Sequence, residues 1–272
     1  MRSSNWWNVI SIADKALRVL NSPRFLPVLL LSVSTLTAVG QGRITDSRSG
    51  IPVIFTVDEN VFPHSWTQSP INGYCEHLDA DERERSGKIM LRALAKYPVS
   101  LLKRSLVRVY VLKVLEFYGQ GYGGTNSNDV VYVANSGRSD GYTDDYIERV
   151  FHAEYSSILL RKYRNSFEEA LWKKANGAGV VYGTSGVDAL RTGKTGQEFD
   201  PALNELGILD EYSLSDVEND FNAYAQNIFH PRPGFWELVD TYPAVKRKLL
   251  LIIAFYARLD SLFTERYFRT FQ

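Results

Sequence analysis

Between Tyr146 and Tyr163 the chain reads Tyr-Ile-Glu-Arg-Val-Phe-His-Ala-Glu-Tyr-Ser-Ser-Ile-Leu-Leu-Arg-Lys-Tyr, with no proline or glycine to interrupt it. Asp144 and Asp145 stand just before it, where the positive end of a helix dipole favours carboxylates. Ile147, Val150, Phe151, Ile158 and Leu159 recur at helical spacing, so one face of the predicted helix is buried. Glu154 falls on that stripe, four residues from both Val150 and Ile158. A carboxylate there has to be paired, bound to a metal, protonated or turned toward a cavity, because an unpaired buried charge is too costly. A tyrosine, an arginine or backbone donors would satisfy it without any function.

The chemical alternative is a metal helix. In His-Glu-x-x-His, two imidazoles four residues apart share a helix face and hold zinc while the glutamate serves as general base. With Glu154 in the glutamate position, the histidine positions are 153 and 157, occupied by Ala153 and Ser157. With His152 as first ligand, Ala153 takes the glutamate position and Ser156 the second ligand position. Neither frame is complete, and a catalytic zinc normally keeps three protein ligands plus water. His152 and Glu154 lie ~200° apart around a helix of 3.6 residues per turn, so they point to different surroundings. His152 belongs with Glu148 and Ser156, one turn away on either side.

The 272 residues suffice for one large domain or two small ones, and the formal net charge of zero excludes a general nucleic-acid binder driven by phosphate contacts. A lone cysteine, Cys75, excludes an internal disulfide framework. Residues 1–42 read as an export segment. Lys15, Arg18 and Arg24 precede the uncharged run Phe25 to Val39, and Ala38-Val39-Gly40 offers small residues for cleavage. That run falls short of the roughly 20 apolar residues of a membrane helix.

Residues 43–272 are expected to form a single mixed α+β domain, with a sheet half over 43–165 and a mainly helical half over 166–272. A short strand is expected at Ile51–Val57 and a charged, then amphipathic, helix at Asp79–Lys96. A strand is expected at Leu106–Tyr118 and an edge strand at Val130–Ala134. Between them Gly119-Gln-Gly-Tyr-Gly-Gly124 matches a dinucleotide fingerprint, but it joins strands and opens no helix, so it is a turn. The glycine-rich stretch 177–198 reads as a long loop or flap. Ser215 and Glu218 form a capping box for a helix ending at Phe229, which alone would explain Glu218. Alternatively Glu218 or Asp220 faces the central helix as a downstream carboxylate. Two helices follow around Pro243, the second strongly apolar over Leu249–Tyr256, and Ser261–Gln272 is a shorter helix or tail.

From about Tyr97 to Phe268 the chain resembles the zinc-binding metallopeptidases of Bacteroidetes. Phe117-Tyr-Gly, Tyr122-Gly-Gly-Thr125, Phe151 to Leu160, Glu218-Asn-Asp-Phe-Asn222 and Lys248 to Asp260 carry the likeness. It implies a zincin-like fold: a small mixed sheet with an edge strand, an active-site helix, then a mainly helical half. It further implies Glu154 as catalytic base, His152 as the first histidine, Glu218 as the downstream acid, and zinc as the cofactor. Ala153 and Ser157 stand where that family's motif has imidazoles. The implied setting is export to the periplasm, outer-membrane surface or exterior, often beside outer-membrane import systems.

Three functions remain open: a zincin-like protein that has lost hydrolysis and binds peptide or protein, a hydrolase using an unusual set such as His152, Glu218 and His230, and a structural subunit of an import complex.

Overall fold

The computed structural model describes residues 42–183 and 185–271. The export segment expected at 1–42 lies outside them, but for Gly42. The sheet half contains β1 (Arg43–Thr45), β2 (Pro52–Ile54), β3 (Tyr74–Glu76), α1 (Arg83–Ala95), α2 (Val99–Ser105), β4 (Arg108–Leu112), β5 (Val114–Phe117), β6 (Gln120–Gly121), β7 (Gly124–Asn126), β8 (Val130–Ala134) and α3 (Asp144–Lys162). The helical half contains α4 (Glu169–Lys174), α5 (Gly186–Thr192), α6 (Pro201–Glu205), α7 (Val217–Phe229), α8 (Phe235–Thr241), α9 (Pro243–Leu259) and α10 (Glu265–Phe268). The fold is mixed α+β, a zincin-like arrangement with the sheet first and the helices after.

The larger sheet has the order β1-β2-β4-β8-β7, with β2, β4 and β8 parallel and both outer strands antiparallel. Val130–Ala134 is therefore an inner strand and not the expected edge. Its run Val-Val-Tyr-Val-Ala is buried from Val131 onward, as suits a strand covered on both faces. The edge is the small polar segment Gly124-Thr125-Asn126, half-buried throughout.

The expected strand Leu106–Tyr118 is two strands in two sheets. At Lys113 the backbone N–H donates to Glu76 O (3.0 Å), and the chain turns to pair with β3 and β6 in a second, three-stranded sheet. The glycine-rich turn carries β6, and α5 lies within the stretch read as a loop.

Helix α3 starts where Thr143 caps it, accepting from Tyr146 N at 3.1 Å. Asp144 and Asp145 fill its first turn, Arg161 and Lys162 its last, which complements the helix dipole at both ends. Ile147, Phe151, Ile158 and Leu159 are buried, and α3 packs against β7, β8, α1 and α7. The cap of α7 is Asp216, not Ser215. Its carboxylate accepts from Asn219 N at 2.7 Å, so the capping box does not form and Glu218 is left to other contacts.

Beneath α7 lies a buried ion pair. Asp220 Oδ2 accepts from Lys248 Nζ (2.5 Å), Tyr182 Oη (2.6 Å) and Trp172 Nε1 (2.8 Å). It binds α7 to α9 and to Trp172 of α4, and it answers the sequence question about Asp220: that carboxylate points into the helical core.

Candidate functional site

A cleft of about 150 Å³ opens between α3, the edge strand and α7. Val150, Ala153 and Glu154 of α3 form its floor, Gly123 and Gly124 one wall, and Asn219, Asn222 and Gln226 of α7 the other. The glycines permit the close approach. A Cβ on Gly124 would come to 2.4 Å from Val150 Cγ1, and one on Gly123 to 2.0 Å from the Tyr146 hydroxyl.

Among the described residues the strand leaves a free hydrogen-bonding edge on the cleft. Ala134 N donates to Gly123 O (2.8 Å) and Ser127 N to Val130 O (2.9 Å). With Gly124 opposite Val133 and Asn126 opposite Val131, the bonded pairs fall at positions 123, 125 and 127. The N–H and C=O of Gly124 and Asn126 therefore point away from β8, toward whatever adds to the sheet.

Glu154 is half-buried in the cleft floor, and Asn126 Nδ2 donates to its Oε2 at 2.5 Å. Burial pushes its carboxyl up to about 7; Asn126 and Arg161 oppose this rise, and the nearby charge of Glu218 adds to it. The carboxylate thus changes charge near neutral pH. Glu218 lies at the rim, where Arg161 Nη1 donates to it at 3.0 Å.

His152 points the other way. It is fully buried, its ring stacked at 5.1 Å on Phe229, with Nδ1 2.9 Å from Tyr97 Oη and Nε2 3.6 Å from Glu148 Oε1. Burial drives its pKa down to about 4. Burial also opposes charge on Glu148, yet the neighbouring His152 and His230 and the Lys96 ammonium at 2.6 Å hold its carboxyl well below the usual range. His230 does approach this cluster, 3.4 Å from Glu148 and 2.9 Å from Asp145. The expected pairing of His152 with Glu218 is not formed: His152 is turned from the cleft toward Tyr97 and Glu148, while Glu218 of α7 is held by Arg161.

Where the motif requires imidazoles, the chain holds a hydrogen-bonded clasp. Asn222 Nδ2 donates to Ser157 Oγ (2.7 Å), and Ser156 Oγ donates to Asn222 Oδ1. Ala153 contributes only a methyl group. A methyl, hydroxyls and one amide do not fit zinc, which takes thiolate, imidazole and carboxylate donors. Among the described residues no group of three or more His, Cys, Asp or Glu side chains is placed to hold a metal ion.

No family model and no curated protein matches the chain. Among solved structures, it is similar to a Bacteroides caccae protein described as a candidate zinc-binding metallo-peptidase. The two superpose with a TM-score of 0.53 over 80% of this chain and 82% of that one, at 14% identity. The shared property is the fold.

Tyr212 in the cleft lining and Asn126 beside it are among the residues that motif reading does not single out, and neither does it give Asn222 its place in the clasp. Asn222 does stand within Glu218-Asn-Asp-Phe-Asn222, one turn beyond Glu218, and that spacing was the available signal.

Proposed function

We propose that this chain is a metallopeptidase-like protein that holds extended peptide in its cleft without zinc-dependent hydrolysis. One observation carries the reading: Asn222 is bonded to both Ser156 and Ser157 at the place a zinc motif needs an imidazole, while the cleft and the free edge of β7 are retained. An extended peptide added to that edge takes backbone hydrogen bonds from Gly124 and Asn126 and places alternate side chains toward α3. Glu154 then acts as a binding carboxylate.

Binding of fluorescent peptides in the presence of a chelator tests this. Chelator should leave binding unchanged. Ala153→Phe, which fills the cleft floor, should abolish it while the thermal transition persists. Hydrolysis stopped by chelator and restored by zinc would overturn the reading.

The export segment expected from the sequence and the family resemblance support a cell-envelope location, with peptide or protein as ligand and outer-membrane import components as the partners to seek. Fractionation of cells carrying the full chain, followed by co-purification, tests both.

A further inference from the structure

The cleft lining is unusual in its charge. Among the described residues it carries the carboxylates of Glu154 and Asp210 and the rings of Tyr122, Tyr146 and Tyr212, but no lysine, arginine or histidine. Asp210 is already satisfied, by Ser213 N (3.0 Å), Ser213 Oγ (2.6 Å) and Arg232 Nη2 (3.2 Å). Glu154 is not. Its hydrogen bond comes from the neutral amide of Asn126, and it forms no ion pair among the described residues. Arg161, the cation toward that end of α3, is engaged by Glu218, by the Asn126 side chain and by Ser127 O at 2.9 Å.

The geometry points to a cationic side chain, lysine or arginine, as the group this cleft recognises in a bound peptide, its charge set against Glu154 among the tyrosine rings. The inference rests on the peptide-binding reading above. A Cβ built on Gly124 lies 3.2 Å from Glu154 Oε1, so that face of the edge strand looks at the carboxylate. In an added strand, the residue opposite Gly124 sends its side chain to the same face, with its Cβ about 5 Å from the Gly124 position. That residue is the one whose end group meets Glu154. An ammonium or guanidinium there gains a charge-assisted hydrogen bond and the negative faces of aromatic rings, in a site sheltered from water. The groups that set the charge of Glu154 are Asn126 on the edge strand, Glu218 on α7 and Arg161 on α3 itself. Burial raises the pKa of the Tyr146 and Tyr212 phenols, and the nearby charge of Glu154 adds to the rise.

The test uses nine-residue peptide pools, N-acetylated and in a matching set with a free N-terminus, randomised over uncharged residues, with the centre fixed as lysine, arginine, norleucine or glutamate. Fluorescence anisotropy with the full chain reads affinity at pH 6 and pH 8. Lysine or arginine pools should bind about tenfold tighter than norleucine at pH 8, the size of a sheltered cation–ring and ion contact. Because Glu154 carries its charge above about pH 7, the advantage should shrink at pH 6, and Glu154→Gln should erase it. The pH profile of the natural chain keeps the test decisive if that variant folds poorly. Equal binding of lysine and norleucine pools would overturn the inference and leave the peptide cleft standing. A preference only for pools with a free N-terminus would assign the site to a chain-end amine and overturn it too. Failure of every pool to bind would remove the peptide cleft and this inference together.

Discussion

Glu154 and Asn222 divide the work of the cleft. Glu154 costs stability when charged, because its folded pKa of about 7 stands above its ordinary value of 4.5. The folded state holds that proton more tightly than the unfolded one. Its contribution is therefore full below about pH 4.5 and is lost as pH rises through about 7. Glu154→Gln should flatten this slope and stabilise the protein at pH 8 by on the order of 1–2 kcal/mol, read by urea unfolding at pH 5 and pH 8. An equal slope in both proteins would show that Glu154 is not the group responsible. Asn222→Ala should cost about 2–4 kcal/mol, since it strands two buried serine hydroxyls as well as removing the clasp; a loss below about 0.5 kcal/mol would mean that water replaces it. The apolar stripe made Glu154 legible in the sequence, and the helix angle placed His152 beside Glu148. Asn222 was not legible as a site residue, because an amide acquires its meaning only when another helix brings Ser156 and Ser157 against it.

At the level of elements, the long helix, Pro243 and the strongly apolar α9 could be read directly, since each has a period or a breaker of its own. The strand edge could not. Val130–Ala134 and Gly124–Asn126 differ in which one is covered, and coverage is a tertiary fact that β-propensity does not record. The split at Lys113 was hidden for the same reason: the run Leu106–Tyr118 is apolar in both sheets. The start of α7 makes a sharper case. Ser215 has the right spacing to Glu218, but Asp216 takes the capping geometry and Glu218 goes to Arg161. Asp216→Ala should cost about 1 kcal/mol by urea denaturation. Ser215→Ala should stay within about 0.5 kcal/mol; the reverse order would restore the capping box.

Across the whole described fold, two polar knots hold the helices together. One is Glu148 with Arg92, Lys96 and the two histidines, joining α3 to α1 and to the end of α7. The other is Asp220 with Lys248, Trp172 and Tyr182. Lys248→Met would leave Asp220 as a buried carboxylate without a cation, so a loss of about 3–5 kcal/mol is expected, measured as a shift in urea midpoint. A near-neutral result would mean that the pair is dispensable to the packing. With these knots in place the helices are joined by the chain's own side chains, and the cleft needs no metal to keep its shape. Zinc content of the full chain, purified without chelator, tests that claim most directly, beside Ala153→His/Ser157→His/Asn222→Glu. The natural chain should carry no stoichiometric zinc and the triple variant should acquire it. One zinc per natural chain would contradict the account and require a ligand set that the clasp does not supply.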